Sequence, residues 1–242
     1  MHKNPPYLYK IYRSRRHLAV TFLFIVLPIL FLLAFAQFTG ITIARLFSDI
    51  GSSFARLTIA YLCAALLGWV LAVLFFRGKR AAVALPAFDV LQSFPTFAAL
   101  PLAAYFWGRS DFTVVFFLVI TIIWPIFFSV TSSLKLIRRD WDEAAAIAGL
   151  SGGNYLRRFI IPVTMPGLVT GSIIGLGEGW EALIATEIIV GLKEGLGEFF
   201  IFFSRSVPVT AFGILGFLLL IFSINKLLWL PLLERSHRRL EE

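Results

Sequence analysis

RRDWDEAAAIAGLSGGNYLRRFIIPVTMPGLVTG, residues 138–171, stands between two long apolar runs of the chain. A connection that only reverses the chain between adjacent helices takes about 2–8 residues, so this stretch has a further purpose. Asp140, Asp142 and Glu143 precede Ala144-Ala145-Ala146-Ile147-Ala148. Acids in a first turn favour a helix N-terminus, and the alanines favour a slim, closely approachable helix. Gly149 ends it, as a residue at home with positive φ does at a C-terminus. A second helix is predicted from about Ser151 through Tyr155, Leu156 and Phe159 as far as Pro162. Leu150, Leu156, Phe159 and Ile160 give it an apolar side, and Arg157 and Arg158 a polar one. A slim helix, a tight turn and an amphipathic helix suit a groove on another protein.

The runs on either side read as membrane. Hydrophobic residues make up 59% of the 242 and charged residues 15%, against about 45–50% and about 25% in soluble domains. Apolar runs at 18–38, 57–76, 82–107, 112–130, 166–190 and 208–230 each approach the length of about 20 residues that crosses a bilayer as helix. The fold class expected is an all-α polytopic membrane protein with about six transmembrane helices, since lone strands leave backbone groups unpaired in lipid. The third run is interrupted by Pro86, Asp89, Gln92, Pro95 and Pro101. The first exceeds the h-region of about 7–15 residues in a signal peptide and reads as a retained span. The organisation expected is a basic segment 1–17, one transmembrane domain 18–232 carrying the loop at about 138–166, and a tail 233–242.

Basic residues decide orientation. The N-terminus, the end of the second run (Arg77, Lys79, Arg80), the central loop (Lys135, Arg138, Arg139, Arg157, Arg158) and the C-terminus hold most of them. The opposite side receives Arg45, Arg56, Arg109, Lys193 and Arg205. The positive-inside rule places both termini and the central loop in the cytoplasm. The net charge of +8 is thereby a topology signal, with no separate basic domain for nucleic acid. Cys63 is the sole cysteine, which excludes a disulfide framework. His2, His17 and His237 are terminal, which gives an intramembrane metal site or His-based enzyme no support. No Gly-x-x-x-x-Gly-Lys-Ser/Thr phosphate loop occurs, so ATP hydrolysis is not expected of this chain.

Glu143-Ala144-Ala145, Gly149, Ile161-Pro162 and Pro166 resemble the "EAA…G…I-x-LP" loop of ATP-binding-cassette importer permeases, with Ile161 where that family usually has leucine. The resemblance implies coupling helices docked into a cytoplasmic ATPase. Asp142, Glu143, Ala144, Ala145, Gly149, Leu150, Arg157 and Pro162 become the expected ATPase-coupling residues, with Gly149 making the turn. It also implies an ATP-binding-cassette ATPase dimer that carries ATP and Mg, no cofactor in this chain, and a second permease subunit, identical or homologous. An extracytoplasmic substrate-binding protein and a bacterial-type inner membrane complete the expectation. Gly177 to Ile188 with Gly195-Leu196-Gly197, the Leu91–Pro101 segment and the Asn225–Leu232 end are similar to the nitrate, taurine, sulfonate and bicarbonate branch. The likeness runs from about Phe54 to the C-terminus.

Intramembrane carboxylates are costly and face polar cavities or partners. The candidate pathway residues are Gln92, Glu178, Trp180, Glu181 and Glu187, with Asp89 beside them. Glu178 and Glu181, three apart, share one side of a helix. Glu187 suits a structural salt bridge as well as cargo contact. Carboxylates repel nitrate or sulfonate, so a cationic, zwitterionic or neutral organic cargo stands beside an anionic one. The Gly167/171/175/179 spacing permits close helix approach, within the subunit or across a dimer. Phe199, Phe200, Phe202 and Phe203 read as an interfacial aromatic belt, with docking of a binding protein as the alternative. The competing function is a stand-alone proton-coupled transporter or channel using Glu178, Glu181 and Glu187, which leaves residues 143–166 unexplained.

Overall fold

The computed structural model describes residues 15–204, 206–229 and 232, and among these every regular element is helical. The all-α polytopic expectation holds. Segment 1–17, apart from the backbone of its last three residues, and the tail 233–242 lie outside the described residues, as does Arg205. The helices are α1 (Arg15–Thr39), α2 (Ile43–Phe75), α3 (Gly78–Gln92), α4 (Thr96–Trp107) and α5 (Asp111–Lys135). There follow α6 (Arg139–Ile147), α7 (Gly152–Tyr155), α8 (Ile161–Val190), α9 (Leu196–Phe203) and α10 (Val207–Ile224). Thr42 and Ser110 cap α2 and α5 by accepting from the N–H groups of Arg45 and Thr113. Asp111 in the first turn of α5 and Lys135 in its last complement the helix dipole.

Four helical segments among the described residues are long and apolar enough to cross a bilayer: Ile43–Phe75, Asp111–Lys135, Gly152–Val190 and Val207–Leu227. The α3–α4 pair is a fifth if counted as one span, and α1 contributes the shorter apolar helix Val26–Thr39. The third expected run is therefore no single straight helix, because α3 and α4 meet at 80°. Of its three prolines, Pro86 and Pro101 sit inside helices, and Pro95 stands at the N-cap of α4. Proline disfavours helical backbone at the preceding residue, which places the break at Phe94.

Ion pairs mark the two ends of the bundle. Arg77 Nη2 lies 2.7 Å from Asp142 Oδ2, and Arg56 Nε lies 2.7 Å from Asp111 Oδ1. From Arg56 to its end, α2 runs for about 30 Å at about 1.5 Å per residue, which matches a bilayer core of about 30 Å. The bent α3–α4 pair leads from the Arg77 end to the Asp111 end.

The core is α5 held between two stripes of small residues. On α2, Ala60, Ala64, Gly68 and Ala72 are buried at four-residue spacing. On α8, a methyl at Gly171 would meet Ile126 Cα at 2.6 Å, and one at Gly175 would meet the Ile122 carbonyl at 3.1 Å. Gly167 lies against Ser129 and Ser133, and Gly179 against Ile122 and Leu57. The glycine stripe thus packs within the chain, where dispersion between closely approached backbones replaces the missing hydrophobic drive.

A second cluster joins α1, α9 and α10. Phe35 packs with Phe199 at 5.3 Å and Phe203 at 6.0 Å between ring centroids, and Phe31 stacks on Phe212 at 4.5 Å. The expected aromatic belt is thus mostly inward. Helical periodicity carries Phe199, Phe200 and Phe203 onto the packed side of α9 and leaves Phe202 exposed.

Candidate functional site

Two regions carry chemistry: the loop at the Arg77 end and a groove beside α8. In the loop, Asp140 and Asp142 occupy the first turn of α6. Its end is a Schellman motif: the Gly149 N–H donates to the Ala146 carbonyl and that of Leu150 to the Ala145 carbonyl, each at 3.0 Å. Gly149 has φ +71°, and nothing lies within 4 Å of where its Cβ would be. The position demands glycine for its backbone, not for space.

The second loop helix departs from expectation. α7, a π-helical turn at Leu156–Ile160 and α8 run on without interruption, so Pro162 ends nothing. A proline ring clashes with the carbonyl four residues earlier, and the wider π-helical turn directly before Pro162 relieves this. The loop is therefore continuous with the helix that carries the candidate pathway residues.

Asp142 and Ala145 face inward. Asp142 Oδ1 accepts from the Tyr155 hydroxyl at 2.8 Å and Oδ2 pairs with Arg77, which ties α6 to α7 and to the end of α2. Glu143 is exposed and bonded to Arg139 at 3.0 Å. Ala144, Gly149, Arg157 and Pro162 are exposed, and Leu150 is half-buried. Ile147, 88% exposed, is the apolar tip of α6 that the sequence reading passed over.

The groove, about 860 Å³, lies between the α3–α4 break, α5 and α8. Its lining includes Asp89, Gln92, Thr96, Trp124, Phe128 and Glu178. The Gln92 amide donates to Asp89 Oδ1 at 2.6 Å. The other pathway candidates lie elsewhere. Trp180 is buried against the rings of Phe54 and Phe217, and Glu181 is exposed beyond the lining.

Glu187 has no face on the groove. It is fully buried and accepts from Ser53 Oγ at 2.8 Å, Arg56 Nη1 at 2.6 Å and the Gly197 N–H at 2.9 Å. Arg56 also donates to Asp111 and to the Glu194 carbonyl. Asp49 accepts from the Gly195 N–H, and the Leu196 N–H donates to Ser53 Oγ. A buried charge needs such partners to persist. A Cβ at Gly195, whose φ is +127°, would lie 2.7 Å from Arg56 Nη1, which accounts for the glycines around Leu196. Asp49, Ser53 and Asp111 were missed from sequence. The signal was the 49, 53, 56 spacing, which lines up one polar face in an apolar helix.

A multi-pass helical bundle with a protruding helical loop and, along one face, a largely apolar groove that holds two acids and an amide has the makings of a membrane transport component. Residues 64–225 match the family described as "Binding-protein-dependent transport system inner membrane component", and the chain belongs to it. The match spans the loop, the groove and α8. Nitrate import permease protein NrtB of Leptolyngbya laminosa is 34% identical over 155 residues, 64% of this chain and 55% of that protein. Bicarbonate transport system permease protein CmpB of Synechococcus elongatus is 28% identical over 149 residues, 61% of this chain and 54% of that protein. Taurine transport system permease protein TauC of Escherichia coli is 28% identical over 167 residues, 69% of this chain and 60% of that protein. The chain thus spans a little over half the length of such relatives.

Proposed function

We propose that this chain is the membrane-spanning permease subunit of an ATP-driven importer, with its loop docked on a cytoplasmic ATP-binding-cassette ATPase. The observation that carries the reading is the exposed α6 tip, with Ile147, Glu143 and Ala144 outward, on a loop built without a joint into α8. The family match and the permeases named for nitrate, bicarbonate and taurine import support it. ATP and Mg belong to the ATPase dimer, and this chain supplies the pathway. A second permease subunit closes the groove, an extracytoplasmic binding protein delivers cargo, and both termini lie in the cytoplasm of a bacterial-type cell.

Coupling follows from the connections. A displacement of α6 by ATPase closure reaches the end of α2 through Asp142 and Arg77, and reaches α8 through Tyr155 and the π-helical turn. Because α8 packs backbone to backbone on α5, the three core helices move together, and the groove changes access as a unit. Glu178 and Gln92, with Asp89, face the solute. Glu181 lies off the lining, and Glu187 and Trp180 hold the bundle.

Gly149→Val tests this. A β-branched residue at φ +71° costs on the order of 1–3 kcal/mol, and the loop re-forms with α6 displaced. The expected result is a protein still inserted that loses ATPase association or ATP-driven uptake. Unchanged association and uptake would sink the reading. Uptake driven by a proton gradient in vesicles without an ATPase would favour the stand-alone transporter.

A further inference from the structure

We infer that the groove selects an organic cation; the inference rests on the permease reading above and names its class of cargo. Asp89 and Glu178 are the two ionisable groups of the lining, and both are acids. No lysine or arginine occurs in residues 81–108, 112–134 or 159–192, the segments that build the groove and its surroundings. Arg56, an arginine buried in the bundle, is committed to Glu187, Asp111 and the Glu194 carbonyl. A second copy closing the groove would add two more acids and no base. Carboxylates at membrane depth face a polar cavity or a partner of opposite charge, and the stretches that line this groove carry no base to serve as one.

The remaining lining says what kind of positive charge. Phe94, Phe97, Trp124 and Phe128 present aromatic rings to the same space, and ring faces attract cations once water is displaced. A bare metal ion would need several hard donors converging on one point. No group of three or more His, Cys, Asp and Glu suited to a metal occurs among the described residues. A volume of about 860 Å³ falls in the range of about 300–1,000 Å³ of small-molecule sites. Aromatic walls, two carboxylates and one amide fit an ammonium-type organic cation. They oppose a small anion such as the nitrate or bicarbonate of two relatives' names, which would meet like charge with only neutral donors, from Gln92, Trp124 and the Ser and Thr hydroxyls, to offset it.

The test uses the full chain purified in nanodiscs with the ATPase it carries. Benzyltrimethylammonium, nitrate and taurine are each titrated by calorimetry. Saturable binding of benzyltrimethylammonium is expected, weakened at least tenfold by Glu178→Gln and by Asp89→Asn, with no saturable binding of nitrate. Saturation by nitrate or taurine with none by the cation would overturn the inference. So would cation binding that Glu178→Gln leaves within twofold of the wild type. The wild type alone separates cation from anion, so a variant that fails to fold does not blunt the test. Failure to co-purify with an ATPase counts against the permease reading, while the titrations still decide what the groove prefers.

Discussion

Replacing Gly171 and Gly177 by alanine, one at a time, tests the packing that links the loop to the groove. A methyl at Gly171 would lie 2.6 Å from Ile126 Cα and 2.8 Å from the Pro125 carbonyl oxygen. Both are main-chain atoms, and ordinary contact is about 3.5–4.0 Å. The helices must part by roughly 1 Å, which loosens the contacts of Gly167 and Gly175 on either side. Overpacking of this kind costs about 1–3 kcal/mol, offset by the gain of at most about 1 kcal/mol for alanine over glycine in a helix. Because main-chain atoms cannot swing aside, the cost lies toward the upper end, about 2–3 kcal/mol, and the expected net loss is about 1–2 kcal/mol. At Gly177 nothing lies within 4 Å of the added methyl, so only the gain remains. Two substitutions of identical chemistry, on one helix, should move stability in opposite directions. Reversible unfolding in mixed detergent micelles, followed by tryptophan fluorescence, reads both. If Gly171→Ala is neutral or stabilising, or if both shift alike, the stripe is not the contact described.

Three further outcomes follow from named contacts. Arg56→Met or Glu187→Met alone should cost about 3–5 kcal/mol by stranding a buried charge, and the double variant should lie nearer the wild type than either single one, as unfolding titrations will show. Ile147→Glu, at a tip 88% exposed, should leave stability within about 0.5 kcal/mol while abolishing ATPase association on co-purification. Tyr155→Phe deletes the hydroxyl bonded to Asp142 at a cost of about 1 kcal/mol. It should lower uptake per ATP hydrolysed in proteoliposomes more than it lowers stability.

Much of this was legible in the chain. The helix class followed from composition, and the α6 turn from Gly149, because both rest on local chemistry that one segment carries by itself. What stayed hidden depends on where segments meet. Pro162 reads as a stop and Pro166 as the start of the next run, yet a π-helical turn absorbs the first and α8 contains the second. Pro95 does break its run, and nothing in the local sequence ranks it above Pro86 or Pro101. Glu187 and Arg56 are 131 residues apart, so their pairing could not be read from either neighbourhood. The aromatic residues of α9 looked like an interface, and the partner rings on α1 that bury them lie far away in the sequence.

The most direct measurement of the central claim is recovery of the intact chain from its native membrane in mild detergent, with every accompanying protein identified by mass spectrometry. The account predicts an ATP-binding-cassette ATPase in stoichiometric amount, lost when Gly149 is replaced by valine. Recovery without any ATPase, from vesicles that take up solute on a proton gradient alone, would contradict it.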